Sequence, residues 1–228
     1  LKGLTDFAKD FEIPCVGGKV SLYNETSDGP IKPTPVIGVI GLIDKKPLKI
    51  QKINSGDSLI MIGDTKDELG GSEYSEYIHK FIGGKCPAVD FSESKKNMNC
   101  VLDIIENELI KSAHDCSKGG LTIAISELCM INQIGCNVSL EKIPGEKLDS
   151  DKILFSESHS RYLLTIENKN LSKLEETLKK YGVSYSLIGE FTGDSICFSS
   201  DSKPIIDLSV DKAHKTWFNS LKEMVLHA

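Results

Sequence analysis

The sequence predicts an α/β protein, formally α+β, with helices packed on a face of a mixed β-sheet. Three observations predict it. Segments with helical spacing of apolar residues alternate with apolar runs of strand length. Gly, Pro, Ser and Asp punctuate the joins between them. With 228 residues, 39% hydrophobic and 26% charged, the chain can bury a sizeable core and has none of the composition of disorder.

The elements follow in order. Leu4, Phe7, Ala8 and Phe11 share a helical face, which Pro14 closes. CVGGKVSLYN, residues 15–24, reads as a strand entered through a glycine turn. TSDGPIKPTP is a loop, and PVIGVIGLID, residues 35–44, reads as a buried strand. A basic, turn-rich connection follows, and a domain boundary is placed near residue 48. SLIMIGD is a buried strand, and GGSEYSEYIHKFIGG is a helix between glycine turns. SESKKNMNCVLDIIENELI is a long amphipathic helix capped by its first Ser. Strands are expected around 136–140, 161–166, 185–190 and 194–199, and helices near 170–181 and 210–225.

Composition excludes several classes. A net charge of −6 disfavours a nucleic-acid backbone or an anionic membrane as partner. No apolar run reaches the ~18 residues of a membrane helix. Seven cysteines without a C-x-x-C fit reduced thiols in a cytoplasmic protein better than a disulfide or zinc framework. The first residue is Leu1, inside a helical pattern, which suggests a piece of a longer protein.

Three stretches carry candidate chemistry. In SAHDCSKGGL a strand is expected to end near Ala113, with His114 and Asp115 at the loop mouth and Gly119 and Gly120 opening a helix. Backbone N–H groups there suit an anion, and Asp115 suits a metal that bridges phosphates. The plainer reading is a tight turn with Ser117 as helix cap and His114 as a structural histidine. LGGSEYSEY admits a ligand at Gly70 and Gly71, or simply a helix capped by Ser72 and Glu73. LFSESHSRYLLTI gathers Glu157, Ser158, His159 and Arg161 before an apolar run. It reads as a recognition cluster or as a solvated loop with an ion pair. Neither a nucleophile elbow nor a Walker A loop is present, and the closeness of Cys116 to His114 in sequence does not make a dyad.

Taken in order, VGGKVSLYNE, IKPTPVIGVIGLI, GGSEY, SAHDCSKGGL and LFSES resemble the PurL-type formylglycinamidine ribonucleotide (FGAM) synthetases of the AIR synthetase-like superfamily. The resemblance implies the C-terminal part of a second AIR synthetase-like A domain over residues 1–47, followed by a complete second B domain over 48–228. It implies a ligase that uses ATP and Mg²⁺ to convert formylglycinamide ribonucleotide (FGAR) and ammonia to the amidine. Its partners would be a glutaminase and small accessory subunits. The catalytic histidine of the family would lie in a part absent from these residues.

The family pattern G-N-V-S falls on Gly18, Lys19, Val20 and Ser21. Gly18 would lie against ATP and Ser21 against substrate. Lys19 takes the place of a magnesium-side asparagine, and an ammonium cannot ligate a cation. In the second copy, Asp115, Gly119 and Gly120 would face an accessory nucleotide, with Asp115 a candidate metal ligand. Glu157, Ser158 and Arg161 would line the substrate side. Another superfamily enzyme, such as a selenophosphate synthetase or small-molecule kinase, and a noncatalytic nucleotide-binding module are the alternatives.

Overall fold

The computed structural model describes residues 2–43 and 51–226. Contacts group the chain into two units, Leu1–Pro47 and Leu48–Ala228. The basic connection and the boundary expected near residue 48 fall largely on 44–50, outside the described residues.

The first unit holds helix α1 (Lys2–Asp10) and a small hairpin of β1 (Glu25–Thr26) and β2 (Gly29–Pro30). The aromatic pair Phe7 and Phe11 stacks at 4.5 Å, as the helical spacing implies. Two strand expectations fail here. Residues 15–24 and 35–43 form no strand, and Val36, Ile40 and Leu42 are more than 90% exposed. The cause is the absence of a ladder. A strand needs a hydrogen-bonded neighbour, and the described residues of this unit offer only a pair of two-residue strands.

The second unit is built on a seven-stranded sheet. Its strands are β3 (Ser58–Ile62), β4 (Ser112–Asp115), β5 (Cys136–Ser139), β6 (Tyr162–Ile166), β7 (Tyr185–Phe191), β8 (Ser195–Ser200) and β9 (Lys203–Ser209). Their spatial order is β4-β6-β3-β7-β5-β8-β9. Every pairing is antiparallel except β5 with β8, so the sheet is mixed. The helices are α2 (Glu73–Tyr77), α3 (Phe91–Glu106), α4 (Gly120–Asn132), α5 (Ser150–Phe155), α6 (Leu171–Tyr181) and α7 (Val210–Leu226).

Helices cover both faces of the sheet rather than one. Ile60, Ile62, Leu164 and Ile166 pack with Cys100, Val101 and Ile104 of α3 and with Leu174 and Leu178 of α6. The alternate residues Leu59, Met61 and Leu163 pack with Leu121, Ile125 and Leu128 of α4 and with Leu154 of α5. This is why β3 is apolar at nearly every position: a central strand buried on both sides has no polar face.

Three local expectations are corrected. The cap of α3 is Asp90, whose Oδ1 accepts the Glu93 N–H at 2.9 Å, not the Ser that opens SESKK. The cap of α4 is Gly119 in a left-handed conformation, not Ser117. Strand β4 runs through Asp115, so His114 and Asp115 belong to the strand rather than to a loop mouth. No helix among the described residues is long and apolar enough to cross a membrane.

Candidate functional site

Three segments of the second unit meet beside the sheet. One leaves β3 and reaches α2, one joins β4 to α4, and one joins α5 to β6. Gly119, Gly120, Glu157, Ser158 and Arg161 are brought together here. Gly18, Lys19 and Ser21 lie in the first unit, on an exposed stretch with no regular structure.

Arg161 is the centre of the cluster and is only 1% exposed. Its Nε donates to Ser158 O at 2.9 Å, Nη1 to Thr65 Oγ1 at 3.0 Å and Nη2 to Ser156 O at 2.5 Å. All three acceptors are neutral, so the guanidinium spends its fork on folding the chain around itself. Burial lowers its pKa, and the nearby Cys116, Glu68 and Glu157 act in the opposite direction.

The 156–158 stretch then clamps the segment after β3. Ser156 Oγ accepts the Glu68 N–H at 3.3 Å, and Ser158 Oγ accepts the Lys66 N–H at 3.0 Å. The Glu157 N–H donates to Glu68 O at 3.2 Å. Lys152 pairs with Asp67 at 2.5 Å, and Tyr74 stacks on Phe155 at 4.5 Å. Thr65, Glu68 and Ser156 were not singled out from sequence. Thr65 meets Arg161 across 96 positions and Glu68 meets Ser156 across 88, and no local pattern shows such contacts.

The carboxylate of Glu157 crosses to the glycine loop. Its Oε1 accepts the Gly119 N–H at 2.9 Å and the Glu73 N–H, the first of α2, also at 2.9 Å. Lys118 reaches the Glu73 carboxylate at 2.8 Å, which raises the lysine pKa first through that hydrogen bond. Gly119 and Gly120 both hold positive φ, 76° and 66°. A Cβ on Gly120 would lie 2.5 Å from Ser156 O and 2.9 Å from the Phe155 carbonyl carbon. The missing side chain therefore lets α4 close on the α5–β6 segment.

The remaining candidates are held locally. His114 Nδ1 lies 2.6 Å from Asp115 O, and its Nε2 lies 3.4 Å from Glu127 Oε2. Asp115 Oδ2 accepts the Ser117 hydroxyl at 2.5 Å. Burial pushes the Cys116 thiol up to about 11, so it is protonated and a poor nucleophile at neutral pH. His159 is exposed. Among the described residues, no three His, Cys, Asp or Glu side chains converge as a metal set.

A family model described as AIR synthase related protein, C-terminal domain, matches residues 54–199. The chain belongs to that family. Two curated relatives align along almost the whole of this AIR synthase-related chain. The phosphoribosylformylglycinamidine synthase subunit PurL of Methanocaldococcus jannaschii is 38% identical over 99% of this chain and 31% of its own. The PurL subunit of Thermococcus sibiricus is 37% identical over 99% and 31%. The AIR synthase-related chain thus spans under a third of the length of the curated relatives it matches. The fold also matches solved structures. T. maritima PurL complexed with FGAR superposes with a TM-score of 0.65 at 19% identity, over 72% of this chain and 29% of that one. T. maritima PurL complexed with ATP gives 0.59 at 20% identity, over 72% and 26%.

Proposed function

We propose that this chain is part of an ATP-dependent FGAM synthase, a carbon–nitrogen ligase that converts FGAR and ammonia to the amidine. The observation that carries the reading is the 38% identity to a PurL subunit across 99% of the chain. Residues 1–47 are read as the C-terminal part of an AIR synthetase-like A domain, and 48–228 as a following B domain. The partition into two units and the family match over 54–199 support that division. The T. maritima proteins were solved with FGAR, with ATP and as a PurLQS assembly, which supports the same ligands and accessory subunits here.

In this reading Gly18 and Ser21 contribute one wall of the cleft. Gly18 gives ATP close access to the backbone, and a Cβ there would meet nothing within 4 Å. Ser21 presents a hydroxyl to the ribonucleotide. Lys19, a compact cation, is suited to a phosphate oxygen. The reaction requires a nucleotide, an amide oxygen and ammonia to be held in register away from water.

A magnesium ion does not fit the residues present. Lys19 offers only donors, Asp115 is engaged by Ser117, and among the described residues no three His, Cys, Asp or Glu side chains converge around it. No step is assigned to the metal on this chain. Glu157, Ser158 and Arg161 act within the B domain as its internal frame, Asp115 is held locally by Ser117, and the isolated chain is expected to show no synthase turnover.

The test is a chimaera in which this chain replaces the matched residues of M. jannaschii PurL, expressed in a strain that lacks its own PurL. Growth without added purine is expected. A folded, expressed chimaera that never supports growth would contradict the reading.

A further inference from the structure

Helix α7 is anchored at one end only. Val210 is buried in the core that α4 also fills, and Ala213 packs against that core. From Lys215 onward every described side chain except Asn219 is exposed. Trp217, Phe218, Leu221, Met224 and Val225 are 54%, 69%, 68%, 64% and 70% exposed. Large apolar side chains gathered in this way differ from singly scattered surface hydrophobics and mark an interaction face. At about 100° per residue all five fall within about 60° of Leu221 on either side, one stripe about 120° wide. His214 stacks on Phe218 at 5.6 Å and extends the stripe by a turn.

The spacing of the stripe is symmetric about Leu221, with Phe218 and Met224 three positions to either side and Trp217 and Val225 four. A two-fold axis at Leu221 that runs two α7 helices antiparallel therefore sets Leu221 against its own copy, Trp217 against Val225 and Phe218 against Met224. Each apolar residue meets an apolar residue, and a thioether against an aromatic ring is a favourable contact. Lys222 falls opposite Ser220 rather than its own copy. Such a self-complementary patch is what an isologous interface requires. At these exposures the five side chains present roughly 600 Å² per copy, against about 800 Å² per partner in a standard interface. That is the scale of a micromolar dimer rather than a permanent one.

We propose that the exposed stripe of α7 is the docking surface for a second copy of this chain, joined in a two-fold antiparallel helix pair centred on Leu221. The proposal does not depend on the synthase reading.

The test is sedimentation equilibrium of the 228-residue chain from about 1 to about 100 μM, which brackets a micromolar Kd. A monomer–dimer equilibrium is expected. Leu221→Lys puts two ammonium groups on the axis and should weaken the dimer at least about tenfold. Leu221 is exposed, so circular dichroism should show the fold of this variant unchanged. Val36→Lys, on the exposed stretch of the first unit, should leave the dimer intact. The direction of the helices is read by a short bismaleimide in a background carrying Cys15→Ser and Cys86→Ser, which removes the two exposed thiols. Leu221→Cys should then be joined to itself, and Trp217→Cys should be joined to Val225→Cys more readily than to its own copy. A chain that stays monomeric to the top of the range would overturn the proposal. So would a dimer that ignores Leu221→Lys, one that is lost with Val36→Lys, or a Trp217→Cys that prefers its own copy. A PurL chimaera that stays monomeric would also overturn it and assign the stripe to the rest of the subunit. A dimeric chimaera without synthase activity would sink the synthase reading and leave this interface standing.

Discussion

Replacing Arg161 with Met removes the donor that organises the cluster. The side chain is almost completely buried and makes three hydrogen bonds to Ser158 O, Thr65 Oγ1 and Ser156 O. Each acceptor left dry costs about 1–3 kcal/mol. Three of them set an upper range of about 9 kcal/mol. Part returns, because a buried charge no longer has to be desolvated and Met fills much of the volume. A net loss of about 4 kcal/mol is expected, a large share of the 5–15 kcal/mol that holds a typical domain. Urea unfolding followed by circular dichroism reads it as a lower midpoint at unchanged slope. Arg161→Lys should fall between the two, since an ammonium keeps the charge but cannot serve three acceptors in a planar fork. A Met variant within about 1 kcal/mol of wild type would refute the structural role assigned to the guanidinium.

Other outcomes follow from the same coordinates. Gly120→Ala should cost at least about 2 kcal/mol in urea, from left-handed strain and from backbone 2.5 Å from the new Cβ. Gly119→Ala should also be costly, because its φ is positive and its Cβ would lie 2.3 Å from Cγ1 and 3.0 Å from Cβ of Ile123, a β-branched side chain that turns little in a helix. Lys111, 2.8 Å from Asp57 and buried with it, should lose about 3–5 kcal/mol on mutation to Met, and adding Asp57→Asn should recover part of that loss. Glu141 is held down to about 2 by the Ser139 hydroxyl first, then by the Ser200 hydroxyl and the Asp201 N–H. A depressed carboxylate stabilises above its unfolded pKa of about 4.3 and loses that contribution as pH falls toward 2. Stability should therefore decline more steeply over that window in wild type than in Glu141→Gln, and equal slopes would count against it.

The elements of the second unit were legible where one physical signal dominated. β3 declared itself as a short apolar run, and α6 as a periodic stripe closed by Gly182. Strand β9 and helix α5 were missed. β9 is an edge strand with alternating exposure and a Pro near its start, and α5 spans only six residues. The strands expected in the first unit failed for the opposite reason. Their sequence is apolar enough, but a strand exists only with a partner, and local pattern does not supply one. At the site, the residues were found and their use was not. Arg161 and Ser158 look like ligand groups because they are polar and clustered. Their satisfaction by Thr65 and Lys66 depends on long-range closure. Gly119 and Gly120 looked like a phosphate loop because local geometry is the same whether the anion is a ligand or Glu157.

The most direct test of the synthase account is the steady-state kinetics of the purified chimaera with FGAR, ATP and ammonium, with and without Ser21→Ala. The account predicts measurable FGAM formation, and in the variant a KM for FGAR raised about tenfold with the KM for ATP unchanged. That is roughly the loss of one hydrogen bond to substrate, about 1.4 kcal/mol. A chimaera that turns over with both constants untouched by Ser21→Ala would contradict the claim that this segment lines the substrate cleft.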